Sequence, residues 1–506
     1  MSQKQDTYSP AAEAKLIFKR ICDQSPRLGI PDEAIFFGFA AFVSKIDGLT
    51  KGDAGLTAKL KDTDIHRAQS DPYRRMAANL YKTKTEGQFF HLHGSLDPTA
   101  TLNMIGLPGR QPGLNNREEI VEVIGRRVQQ YTPEELEELN GRCRAAGVTA
   151  YKYEEFAKTQ HGAASLGQPW WTVRSHGKQL PPTPFPLTTS KRILQGVKVL
   201  ELCRVIAGPA IGRSLAEYGA DVLKITSPHL PDVPFFQIDG NMGKHTADLG
   251  LRTEDGRRQF ESLLADVDVV IDGYRPGALD RLGYGFESLT KLAESRGKGI
   301  VYVSESCFGP AGEWYGRPGW QQIADCATGF AWFQGEFMHK REPIVSPLPI
   351  ADYGAGCMGA IAALSGLYSR ARRGGCYHCM ASLIQFNLLL LSGGRYPPQF
   401  IDSLLDKQPA DFFHLRYCDG VERSSHVVLH SLREQYPQLF IAAGEGRERA
   451  ATEIWHSTAF SASIEVAQPV VEVDGIANSF VKASRPNGTD RASWKAFSLY
   501  EGDYSI

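Results

Sequence analysis

From residue 197 onward the chain repeats one unit, an apolar strand, a short turn and an amphipathic helix, and this repeat restricts the fold more than any other feature. Val197–Leu202 reads as a strand, Ala207-Gly208-Pro209 as a turn, Ala210–Tyr218 as a helix stopped by Gly219, and Asp221–Ile225 as the next strand. The unit recurs with a helix over Arg257–Leu264, a strand over Val267–Ile271, a helix over Leu289–Ser295 and a strand over Gly299–Ser304, followed by a long apolar helix from about Tyr353 to Ser369. Strands joined by helical crossovers lie parallel, so the expected fold class is α/β, with a doubly wound parallel-sheet large domain and a smaller α+β domain. Such sheets bind ligands beyond the carboxyl ends of their strands. The loops after Leu202, Ile225, Ile271 and Ser304 are therefore the expected place for chemistry.

A seam precedes the repeat. Lys178–Leu187 holds four prolines in ten residues, which forbids helix and central strand alike. The expected organisation is an N-terminal extension over 1–29, a small-domain-like α+β region over 30–177, a linker over 178–192, the catalytic α/β domain over 193–396, and an α+β region with a tail over 397–506. Within the first region Gly87–Gly94 alternates like a strand. Thr132-Pro-Glu-Glu135 has the form of a capping box opening a helix that carries Leu136, Leu139 and Cys143 on one stripe and stops at Gly147. The acidic run Glu134, Glu135, Glu137 and Glu138 reads as a solvated face.

Charge and cysteine usage narrow the function. Lys plus Arg (56) against Asp plus Glu (57) leaves a formal charge of −1, so no net field draws the chain to nucleic acid or to anionic lipid. Nine scattered cysteines suit a reducing compartment. The start, Met1–Arg20, lacks the apolar core of a signal peptide, the longest strongly apolar stretch is only Leu388–Leu391, and the ending Tyr504-Ser505-Ile506 is not of the S-K-L type; a cytoplasmic location is expected. Cys376-Tyr-His-Cys379 has no second ligand pair at zinc spacing and His91-x-His93 has no third ligand, so no metal is expected. The turn Arg204–Gly212 does not give G-x-G-x-x-G, which disfavours NAD.

Around that turn the sequence resembles the class III CoA-transferases, the family of formyl-CoA transferase, carnitine-CoA transferases and α-methylacyl-CoA racemase. The resemblance runs in family order over about 200 residues. It passes through Leu194–Leu202, Arg204-Val-Ile-Ala-Gly-Pro209, Leu215–Ile225, Asp266–Gly277, Arg281-Leu-Gly283, Phe308-Gly-Pro310, Arg317-Pro-Gly319 and Pro349-Ile-Ala-Asp-Tyr-Gly-Ala-Gly356. It implies an acyl-CoA:carboxylate CoA-transferase, with coenzyme A or acyl-CoA as substrate, a carboxylic acid acceptor and no permanently bound cofactor. The family nucleophile falls on Asp352, which the residues alone would also explain as a helix cap. In that position the helix dipole is expected to keep the carboxylate ionised, and the amides at Gly354 and Gly356 to receive the oxyanion of a thioester under attack. For CoA the resemblance points to Arg204, Ile206 and Ala207, to Gly273 and Tyr274, and to Lys244 and Arg281.

The departures from the family pattern are local. Gly273 stands where relatives carry a polar residue such as Asn, Thr226 where they carry an acid, and Arg373-Gly-Gly375 where Arg-Gly-Gln is usual. The racemase branch needs a His acid/base, and that position is Trp320, with Asp325 the nearest titratable residue. A racemase-like acyl-CoA isomerase and a catalytically inactive CoA-binding protein are the competing readings. Residues 80–177 resemble the family's small domain, which normally follows the nucleophile. The chain thus reads as permuted or fused, as a homodimer or as a pseudo-dimer within one chain, with the N-terminal region packed on the catalytic half.

Overall fold

The computed structural model describes residues 43–177, 180–188, 190–440, 452–469 and 475–497; the extension 1–29 and the C-terminal tripeptide lie outside them. The first strand, β1 (Lys45–Ile46), is followed by an antiparallel pair, β2 (Ala78–Lys82) and β3 (Phe89–His93). Helix α1 (Pro133–Cys143) starts with the full capping box: Thr132 Oγ1 accepts from the Glu135 amide at 3.3 Å and Glu135 Oε2 accepts from the Thr132 amide at 2.8 Å. It stops earlier than Gly147, because Arg144 takes the left-handed conformation (φ 48°). Strand β4 (Val148–Thr149) completes a small sheet in the order β2-β3-β4.

The large sheet takes strands from both sides of the proline seam. Strand β5 (Thr172–His176) is followed by β6 (Lys198–Leu202), helix α2 (Ala207–Glu217), β7 (Asp221–Thr226), β8 (His245–Asp248), α3 (Glu254–Leu264) and β9 (Val269–Asp272). Then come α4 (Phe286–Arg296), β10 (Val301–Ser306), α5 (Gln321–Thr328), α6 (Ile350–Arg373), β11 (Cys376–Ser382) and α7 (Leu383–Ser392). The strand order is β5-β11-β10-β9-β6-β7-β8. Six strands run parallel, and β5 closes the β11 edge antiparallel. Strand β8, His-Thr-Ala-Asp, has no apolar run and was not legible as a strand.

Helix α6 has the length and hydropathy of a membrane span, alone among the described residues, yet 67% of its most apolar stretch is buried inside the protein. It lies against α2 and the sheet in a core that includes Ile211, Leu215, Val301, Val303, Ala363 and Leu367.

The expected domain boundaries are crossed at two places. Residues 172–176 fall in the segment 30–177, yet their backbone pairs with β11. A third sheet, β1-β13-β12, joins β1 to the late hairpin β12 (Thr452–Ser457) and β13 (Ala462–Ala467). Sheet edges recruit strands by backbone hydrogen bonds, which carry no memory of sequence distance. The N-terminal region also packs onto the catalytic half through side chains. Trp332 Nε1 donates to the Ala150 carbonyl at 2.8 Å, and Arg317 Nη2 donates to Glu137 Oε2 at 2.7 Å and to the Gly147 carbonyl at 2.8 Å. Glu137 therefore departs from the solvated face: besides Arg317 it accepts from the Thr149 amide at 2.7 Å.

Candidate active site

The sheet order reverses between β6 and β9, and in doubly wound sheets a ligand crevice opens at such a switch point. A cavity of about 310 Å³ lies there, lined by the loops after β6, β9 and β10 and by the first turn of α6. Arg204, Ile206, Ala207, Gly273, Tyr274, Glu305, Trp320 and Asp352 all face it. A smaller cavity of about 70 Å³ lies beside the first, shares Arg204 and Tyr274 in its lining and runs past Thr226.

The β6 turn is strained where it meets the cavity. Val205 has φ 69°, a region that a β-branched residue avoids, and its amide is held by Asp232 Oδ1 at 3.0 Å. Arg204 stacks over the Tyr274 ring at 5.2 Å and donates to the Pro231 carbonyl at 3.0 Å. A Cβ on Gly273 would stand 3.0 Å from Cys203 Sγ, a tight contact that a larger residue accommodates only if Cys203 shifts by a few tenths of an ångström.

Helix α6 is capped by Pro349, which leaves Asp352 as its third residue. The Asp352 amide donates to Gln321 Oε1 at 3.1 Å, and Gln321 Nε2 donates to the Leu348 carbonyl at 2.6 Å, so Gln321 fixes the first turn. Burial pushes the Asp352 carboxyl up to about 8, with the charge of Asp325 adding to it. Burial thus opposes, at this depth, the ionisation that the helix dipole was expected to favour. Glu305, at the carboxyl end of β10, is pushed up to about 8 by burial, then by Asp352 and Asp272.

Not every residue named from the sequence reaches the cavity. Lys244 is fully buried, with Nζ 2.6 Å from Glu201 Oε2 and 2.7 Å from the Pro209 carbonyl, so its donors serve the interior. Arg281 lies exposed on the turn Asp280–Leu282 and lines neither cavity. The amides of Gly354 and Gly356 lie beyond the first turn of α6, where helix geometry pairs each with the carbonyl four residues earlier. Both glycines permit close packing: a Cβ on Gly354 would meet the Phe386 ring at 2.1 Å, and one on Gly356 would meet Ala210 Cβ at 2.5 Å.

Trp320 lines the cavity at the position of the absent histidine, donating to Ser95 Oγ at 3.1 Å and stacking on His93 at 5.4 Å. Asp325 is buried behind it and accepts from Asn387 Nδ2 at 2.9 Å. His91 and His93 are buried on β3, and Cys376–Cys379 forms part of β11; among the described residues no group of three His, Cys, Asp or Glu is placed to hold a metal. Arg373–Gly375 ends α6 roughly 30 Å from Asp352 at 1.5 Å per residue, so that departure does not touch the site.

Sequence reasoning passed over Glu305, and over His66, Ser95 and Asp97, which the N-terminal region contributes to the cavity wall. An acid at the carboxyl end of a parallel strand was a usable signal for Glu305. The others had none, because only tertiary packing brings them there.

Comparison with known proteins bears on this site. The family model described as CoA-transferase family III matches residues 194–395, the segment that carries β6 to α7 and Asp352. The acetyl-coenzyme A transferase nodX of Hypoxylon pulicicidum is 33% identical over 462 residues, covering 87% of this chain and 75% of its own length. An acyl-CoA transferase of Gibberella moniliformis is 35% identical over 370 residues, covering 72% of this chain and 65% of its own. A solved structure, Rv3272 from M. tuberculosis in its orthorhombic form, aligns at 18% identity with a TM-score of 0.42, over 58% of this chain and 96% of that one.

Proposed function

This chain belongs to CoA-transferase family III, and on that premise we propose that it moves CoA from an acyl-CoA to a free carboxylic acid with Asp352 as the covalent nucleophile. The observation that carries the proposal is the placement of Asp352 in the same cavity as the Arg204–Ala207 turn and the Gly273–Tyr274 loop. Two neighbouring cavities that share Arg204 and Tyr274 suit a long ligand such as CoA, which is a second support for the reading.

Asp352 attacks the thioester carbonyl, and collapse of the adduct gives a mixed anhydride and CoA thiolate. The thiolate attacks the aspartyl carbonyl, releasing the first acid and leaving an aspartyl-CoA thioester. The acceptor carboxylate attacks that thioester, and the returning thiolate completes the exchange. Each step regenerates an activated carbonyl, which is the benefit of covalent catalysis. No proton is gained or lost over the cycle, in keeping with a site that lacks a histidine at position 320.

The test is incubation with a panel of acyl-CoAs and free acids, followed by mass spectrometry for new acyl-CoAs. Hydroxylamine added during turnover is expected to leave a hydroxamate on residue 352, and an adduct elsewhere reassigns the nucleophile. Asp352→Ala is expected to lower transfer by several orders of magnitude while CoA still binds.

A further inference from the structure

The proposed attack needs a donor for the oxygen that gains charge, and the helix does not supply one through Gly354 and Gly356, whose amides are paired within α6. The Asp352 amide is likewise occupied by Gln321. The cavity does hold a second carboxyl, on Glu305.

Building on the assignment of Asp352 as nucleophile, we infer that Glu305 stays protonated and donates a hydrogen bond to the thioester oxygen as Asp352 attacks. The two acids are not equivalent. Asp352 lies in the first turn of α6, where the helix dipole favours the anion. Glu305 ends a strand, and its nearby titratable groups are acidic: Asp352 on α6, Asp272 on β9, the buried thiol of Cys203 after β6 and Cys307 beside it. The cavity is also lined by His66, Asp97, Arg204, Tyr274, Arg275 and Arg317. Of the arginines there, Arg317 is bound to Glu137 and Arg204 is stacked on Tyr274. The direction of the Glu305 titration, upward through burial and then through Asp352 and Asp272, agrees with this arrangement. When the Asp352 oxygen adds to the thioester carbon, the carbonyl π pair moves onto oxygen and the Glu305 O–H holds it. When the adduct collapses, that pair reforms the carbonyl, the carbon–sulfur bond breaks to release thiolate, and the proton remains on Glu305. A neutral carboxylic acid used as a donor is an established solution where burial keeps it from ionising.

Three measurements on the full-length protein test the inference. Infrared difference spectra between wild type and Glu305→Gln, recorded without substrate, are expected to show a protonated carboxyl at neutral pH that the variant lacks; an ionised Glu305 at neutral pH overturns the assignment. Glu305→Gln, which keeps a donor, is expected to hold kcat within about tenfold, whereas Glu305→Ala lowers it roughly 10²–10³-fold, as for other lost oxyanion donors. In wild type kcat/KM is expected to fall on the alkaline side as Glu305 ionises, and in Glu305→Gln that limb disappears. A wild-type rate and pH profile in Glu305→Ala, with the hydroxamate still on residue 352, sinks the role of Glu305 alone. A hydroxamate on residue 305 sinks both this role and the choice of Asp352.

Discussion

Two regions of the large domain bury acidic side chains within one strand of each other, and they treat them in opposite ways. Under helix α2, Glu201 on β6 meets Lys244 at 2.6 Å, and Lys244 donates again to the Pro209 carbonyl. Near the end of β10, Glu305 lines the same cavity as Asp352, and the charges that act on it, Asp352 and Asp272, are acids. The first arrangement neutralises a buried charge and locks strand to helix. The second leaves the acids without a cation: burial raises both carboxyls, with Asp352 and Asp272 adding to the rise at Glu305 and Asp325 to that at Asp352, and this costs stability. A buried acid with a cation is architecture here, whereas the acids without one are those proposed for the chemistry. Lys244 was drawn toward the CoA site by its position in the family pattern, whereas its surroundings assign it to the interior.

The comparison breaks most visibly at Asp352. Asp352→Ala is expected to lower transfer by several orders of magnitude, whereas changes at Lys244 are expected to act on folding. Lys244→Met leaves Glu201 buried without its cation and is expected to lower unfolding stability by about 3–5 kcal/mol. In urea unfolding, the double variant Lys244→Met with Glu201→Leu recovers most of that loss, since an apolar pair of similar volume needs no charge compensation. The KM for acyl-CoA in folded Lys244→Met stays within about threefold of wild type if the ammonium makes no phosphate contact, against the roughly tenfold rise expected from losing a charge-assisted bond. A large rise would return Lys244 to the binding site.

The sign of the pH effect sharpens the contrast. The Asp352 carboxyl titrates near its ordinary acidic value when unfolded and at about 8 in the folded protein. Between those values the native state holds the proton more tightly than the unfolded state, so stability falls as pH rises through that window. Asp352→Asn removes the loss. Its Tm is expected to exceed wild type by a few degrees at pH 8, with the gap closing toward pH 4, as read by calorimetry. The smallest expected signal is an absence. A 2-methylacyl-CoA incubated in deuterated water is expected to stay unlabelled at the α-carbon, because Trp320 cannot carry the second proton; labelling at the rate of transfer would restore the isomerase reading.

Much of the large domain was legible because most of its parallel strands are short apolar runs joined by amphipathic crossover helices. Asp352 and the Arg204–Ala207 turn were legible through family motifs, and both lie at the switch point where such sheets open. Strand β8 was missed because His245–Asp248 has neither apolar run nor alternation. Strand β3 was found by alternation, yet all five of its residues are buried, because the catalytic half covers the second face with Trp332 and Trp320.

The sequence by itself determined the local terms: strand and helix periods, the capping box at Thr132, the proline seam and the position of Asp352 next to a helix start. These depend on neighbours a few residues apart, which any reader of the chain can see. Tertiary structure alone decided that β5 would cross the seam into the large sheet, that Lys244 would face Glu201, that Gly354 and Gly356 would pack against side chains, and that Glu305 would share a cavity with Asp352. Those outcomes turn on desolvation and on contacts between residues far apart in the chain. The ionisation of a carboxyl is set by the groups that surround it in space, and its sequence neighbours do not record them.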